Sequence, residues 1–186
     1  RIKPDRHHSG FFRHFINVHN GKGRSEFSTI DTSILISGAL MARNTFDDSK
    51  IRDEADELWN SVDWSKAVVS TDPSMPKFYL KGTQIDGEEK GTISMYNEYI
   101  LLAYFCQKYE DGKMGDRARK HIMPDLFQLP RSVFRGRIIL AQYFQPSFLV
   151  QFPFYMSELC RDELFFSFVA AQGVADRSVG IDRYGD

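Results

Sequence analysis

The sequence predicts an all-α domain in which buried helices alternate with amphipathic ones. Three observations carry that reading: apolar residues recur at helical spacing in successive segments, buried and half-buried kinds of segment take turns along the chain, and strand-like alternation is confined to short loop stretches. Such alternation is the pattern of concentric helix layers, one inner and one outer. With 186 residues, 42% of them hydrophobic and 14% aromatic, the chain is long and apolar enough to fill a single core rather than remain disordered.

Residues 1–28 are polar and punctuated by glycine, with His7, His8, His14 and His19 among Phe11, Phe12 and Phe15; they read as an irregular loop with aromatic anchors. From 29 to about 46, Ile30, Ile34, Leu35, Leu40 and Met41 recur at helical spacing, with Ser33, Ser37 and Gly38 between them. This predicts a buried first helix lying close against another. Asp47-Asp48-Ser49 supplies side chains that cap a second helix, on which Ile51, Ala55, Leu58, Trp59 and Val62 make one apolar stripe. The short link between the two calls for an αα-hairpin. Residues 65–92 hold Pro73, Pro76, Gly82, Gly87 and Gly91 and predict a long loop, with a hairpin around 77–80 and 83–85. A third helix, about 93–109, is apolar nearly all round through Ile100, Leu101, Leu102 and Phe105, and is therefore an inner one. Residues 113–123 predict a polar fourth helix that Pro124 stops, and 128–147 an irregular aromatic and basic connection. The fifth helix covers about 148–159 with Pro153 inside it, and the sixth about 162–174, opening on acidic residues that its dipole favours.

Several function classes are disfavoured. Lys and Arg number 24 against 25 Asp and Glu, and the resulting formal charge of -1 leaves no footprint for nucleic acid or an anionic membrane. No apolar run approaches the roughly 18 residues a spanning helix needs, and Arg1-Ile2-Lys3-Pro4-Asp5 does not read as a signal peptide. Cys106 and Cys160 both fall within apolar helical patterns, which predicts buried thiols rather than a disulfide or zinc site. The early histidines lack the spacing of hydrolytic zinc sites, and no nucleophile elbow or phosphate loop occurs; neither a metal nor a cofactor is expected. His7 and His8 fit a substrate contact better. Trp59 and Trp64 could stack on sugar rings, but Trp59 lies on the apolar stripe and is expected in the core.

Two constellations remain that could carry chemistry. Glu26-Phe27-Ser28-Thr29-Ile30-Asp31-Thr32 stands at the entrance of the first helix, where Glu26 and Asp31 could project into a cavity. Ser28 and Asp31 are also spaced like a capping box, which would serve the helix end alone. Tyr96-Asn97-Glu98-Tyr99 opens the third helix, and a carboxyl there, next to so apolar a segment, would hold its proton as a general acid must. An acidic residue near a helix start is equally a partner for the helix dipole.

Taken in order, His8-Ser9-Gly10-Phe11-Phe12, the Glu26 to Thr32 motif, Gly38-Ala39-Leu40, Ala55-Asp56-Glu57-Leu58-Trp59, Val62-Asp63-Trp64 and Tyr96-Asn97-Glu98 resemble the glucoamylase-like family that includes bacterial endo-β-1,2-glucanases and a domain of cyclic β-1,2-glucan synthases. The likeness covers residues 7–110 and is looser beyond. It implies an (α/α)6 toroid of six inner and six outer helices, of which residues 1–186 would form one partial domain completed by flanking segments of the same polypeptide. It further implies a periplasmic or extracellular glycoside hydrolase that cleaves a β-linked glucan, β-1,2-linked in the first instance. Glu98 would be the acid, with Asp31 or Glu26 as its partner, and Tyr96, Asn97, His7 and His8 would touch the oligosaccharide or polysaccharide substrate. The loops 70–91 and 130–145 depart from the family pattern, which leaves open a non-catalytic carbohydrate-binding or scaffold domain of the same fold.

Overall fold

The computed structural model describes residues 3–70, 77–79, 92–93, 99–108, 131–139, 146–156 and 162–185. The described chain is mainly helical, as expected, and begins with an irregular antiparallel ribbon. Isolated bridges join Arg6 to Phe12, Arg13 to Phe27 and Ile16 to Gly23. Two of the three aromatic anchors are in place, with Phe11 and Phe12 buried, whereas Phe15 stands out into solvent. The ribbon is fastened at Gly10, whose carbonyl accepts from Arg6 Nε at 3.1 Å and Nη2 at 2.9 Å. Asp63 N donates to Ser9 O at 2.9 Å, tying the same turn to the chain that follows the second helix.

Helix α1 spans Thr29–Thr45 and α2 spans Ser49–Asn60, each starting where a capping side chain stands. Ser28 Oγ accepts from Asp31 N at 3.0 Å, and Asp48 Oδ1 accepts from Lys50 N at 2.8 Å and Ile51 N at 3.2 Å. Backbone N–H groups that the first turn leaves without partners are thereby satisfied. The expected αα-hairpin is closed by Arg43, whose Nε and Nη2 reach the two carboxylate oxygens of Asp56 at 2.7 and 3.3 Å. The buried face of α1 differs from expectation. Thr29, Thr32, Ser33, Ile36 and Ser37 are inside while Leu35 and Met41 are half exposed, and nothing lies near the position of a Cβ on Gly38. The hydroxyls account for this: Thr32 donates to Ser28 O and Ser33 to Ile30 O, both at 2.6 Å, so small polar side chains enter the core with partners.

After a short 3-10 turn at Trp64–Ala67 come strands β1 (Val68–Ser70), β2 (Lys77–Tyr79) and β3 (Thr92–Ile93), forming an antiparallel sheet in the order β1-β2-β3. The second strand stands where the sequence put it, but it pairs with Ser70 and Val68 on one side and with Thr92 and Ile93 on the other. Residues 83–85 lie outside the described residues. Ile93 therefore belongs to a strand, and helix α3 runs Tyr99–Lys108, starting later than expected. Its residues Tyr99 to Ala103, Phe105 and Cys106 are buried on every side, in keeping with an inner helix. Trp64 stands at the centre of this core, 5.0 Å from Phe105, 5.4 Å from Trp59 and 6.0 Å from Phe11 between ring centroids. Complete burial of Trp64 removes it as a sugar-stacking residue, and Trp59 packs on the core as expected.

The fourth helix expected over 113–123 lies outside the described residues. Within 128–147 the structure holds a hairpin that the sequence reading missed, β4 (Ser132–Phe134) and β5 (Arg137–Ile139). Arg135 and Gly136 both take positive φ, 50° and 73°, as a two-residue hairpin turn requires. Helix α4 spans Phe148–Tyr155, shorter than expected. Pro153 has no N–H to extend the ladder, and the helix closes two residues later. Helix α5 spans Glu163–Tyr184, ten residues past its expected end. Contacts explain the extension: Ala175 is buried with Ile139, Asp176 accepts from Ser147 Oγ at 2.6 Å, and Asp182 pairs with Arg135. These hold a polar stretch in which Gly180 alone would favour stopping.

Candidate functional site

The candidate carboxylates meet where the ribbon runs into α1. Pairing places His14 opposite Glu26, with His14 N donating to Glu26 O at 2.9 Å. The side chains continue the pairing, His14 Nδ1 lying 3.1 Å from Glu26 Oε1. On the other edge of the ring, Nε2 is 3.7 Å from Asp31 Oδ2. One imidazole thus stands between two carboxylates, each facing a different ring nitrogen. A neutral ring has one N–H and can donate to one of them, whereas a protonated ring can donate towards both.

Asp31 has two jobs at the head of α1. Its backbone N–H is capped by Ser28 Oγ, and its carboxylate accepts from the same hydroxyl. The arrangement is half of a capping box. The reciprocal arm is absent, because Ser28 N donates to Phe12 O at 2.9 Å instead. Side-chain exposures are 37% for His14, 34% for Glu26 and 45% for Asp31, so all three groups open to solvent while anchored at one side. Capping and a solvent-facing carboxylate are therefore compatible at Asp31.

His7 is buried and committed to its turn: Nδ1 accepts from Ser9 N at 3.2 Å, and the ring lies 4.0 Å from that of His8 and 5.3 Å from Phe27. His8 itself is exposed. Tyr96, Asn97 and Glu98 lie outside the described residues. Tyr99, next in the chain, is buried at the head of α3, and burial pushes its hydroxyl up from the ordinary tyrosine value.

No family model, curated protein or solved structure matches this chain.

The resemblance drawn from the sequence thus rests on its short motifs. Among the described residues no group of three or more His, Cys, Asp or Glu side chains is arranged to hold a metal ion, and no helix is long and apolar enough to cross a membrane. Among the described residues, two clefts flank the ribbon. One, of about 540 Å³, lies between the ribbon and α2 against Arg6, Glu54 and Glu57. The other, of about 490 Å³, lies at the ribbon tip beside Phe15 and Asn17. Neither of these two is lined by Glu26 or Asp31, whose carboxylates are 34% and 45% exposed among the described residues. The residue that sequence reasoning passed over is His14. The ribbon reverses at residues 18–20, closed by Gly21 at φ 75°, and the pairing of Ile16 with Gly23 and of Arg13 with Phe27 sets residue 14 across from residue 26.

Proposed function

We propose that this chain is a glycoside hydrolase-like domain acting on a β-linked glucan, with β-1,2-glucan the first substrate to test, and that its helices form part of an (α/α)6 ring. One observation carries the reading. Glu26 and Asp31, both within the motif at the entrance of α1, converge on a single imidazole with their carboxylates open to solvent. Glycoside hydrolysis needs one protonated carboxyl to donate to the leaving oxygen and a second carboxylate to activate water or attack carbon. The resemblance assigns the acid to Glu98, with Asp31 or Glu26 as the partner.

Replacing Glu98 by Gln keeps the shape of the side chain and removes its titration. The expected result is a loss of reducing-sugar release from linear β-1,2-glucan of roughly 10²–10⁴-fold, with unchanged far-ultraviolet circular dichroism. Turnover equal to the parent's would take Glu98 out of the mechanism.

A second reading has its own support, since the same contacts that gather the carboxylates also staple the ribbon to α1. On that reading the domain binds carbohydrate or acts as a scaffold without cleaving it. Calorimetry that registers glucan binding by a chain with no detectable turnover would favour it.

A further inference from the structure

The ribbon tip carries a feature that the carboxylate cluster leaves unused. Phe15 is 69% exposed, and its ring lies flat against His14 at a centroid distance of 4.1 Å and an interplanar angle of 19°. His14 is itself held by Glu26 and Asp31, so the phenyl ring has one face on an anchored imidazole and the other towards solvent. Beside it opens the cleft of about 490 Å³, whose wall includes Asn17, Asn20, Lys22 and Arg24. That volume falls within the roughly 300–1,000 Å³ typical of small-molecule sites. The two amides shape the tip: Asn17 Oδ1 accepts from His19 N at 2.8 Å and Asn20 Oδ1 from Lys22 N at 3.0 Å. Their oxygens are thereby engaged, and the Nδ2 groups retain donor capacity.

A stiff, exposed aromatic face next to amide, ammonium and guanidinium donors suits a particular chemistry. The ligand should offer a flat apolar face and a rim of oxygen acceptors, which describes a pyranose ring. A wholly apolar partner would leave the donors unsatisfied, and a simple anion would make no use of the phenyl ring. We infer that this cleft is a saccharide subsite, in which Phe15 stacks on one sugar ring and holds the next glycosidic bond towards Glu26 and Asp31, a single imidazole away. The inference rests on the hydrolase reading and adds to it a substrate-positioning residue outside the acid–base pair.

The test is calorimetric titration of linear β-1,2-glucooligosaccharides into the full chain and into its Phe15→Ala and Phe15→Trp variants, alongside reducing-sugar assays of each. Phe15→Ala is expected to weaken binding roughly tenfold, and Phe15→Trp to retain it. Thermal unfolding should hardly move, because the side chain is on the surface. Equal affinity in the parent and Phe15→Ala overturns the subsite, and turnover by the parent in that case leaves the hydrolase reading standing. Weakened binding in Phe15→Ala with no turnover by the parent supports the subsite and removes the hydrolase. Absence of glucan binding by the parent overturns the subsite outright.

Discussion

Gly10 shows how a single residue fixes the ribbon against the helices. It takes φ of 91°, and a Cβ there would lie 2.1 Å from the carbonyl oxygen of Ser61. Gly10→Ala combines left-handed strain with a clash against backbone, and is expected to lower the unfolding free energy by roughly 2–3 kcal/mol in urea denaturation. Parent-like stability would mean that the ribbon does not rest on the end of α2. Cys106 offers a chemical check on the core. Burial pushes its thiol up from the ordinary value, and Sγ donates to Trp64 O at 3.3 Å. With Cys160 replaced by Ser, Cys106 should resist alkylation at pH 8 until the protein unfolds, since only the thiolate reacts; rapid stoichiometric labelling would contradict the packing. Buried Cys106, core Trp59 and the pairing of Ser28 with Asp31 were legible from spacing alone. The role of His14 was not, because its partners at 26 and 31 are set by strand pairing rather than by proximity in sequence.

Among the elements, those with strong end signals were the most legible. Ser28 and Asp48 mark the starts of α1 and α2, and Asp48→Ala is expected to cost about 1 kcal/mol of stability by thermal or urea unfolding. Arg43→Ala should cost less than about 1 kcal/mol, because the pair with Asp56 is 38% and 46% exposed and solvent screens it. A larger loss at Arg43 than at Asp48 would invert this ranking of cap over ion pair. The β4–β5 hairpin escaped notice because Arg135-Gly136 is not one of the Asn-Gly or Asp-Gly pairs that announce such a turn. Helix α5 ran past its expected end for a different reason. Its C-terminal half is held by Ala175, Asp176 and Asp182 against the hairpin and the head of α4, contacts that local propensity does not contain.

At the scale of the molecule, one aromatic and aliphatic core joins the ribbon, α1, α3, α4 and α5, with Phe11, Ile36, Trp64, Phe105, Phe154 and Phe165 among its members. Through Phe11 the ribbon is part of that core, which is why a loop can hold Glu26 in register with the head of a helix. The proposed hydrolysis depends on Asp31 or Glu26, gathered at His14, serving as the partner of Glu98. Steady-state reducing-sugar release from linear β-1,2-glucan, compared among the parent, Glu26→Gln, Asp31→Asn and the double variant, tests that dependence most directly. The expected result is that at least one single substitution lowers kcat/KM by roughly 10²-fold or more, and that the double variant is little worse than the more damaging single, because one of the two carboxylates is the partner. Parent-like rates in both single variants and in the double would contradict it.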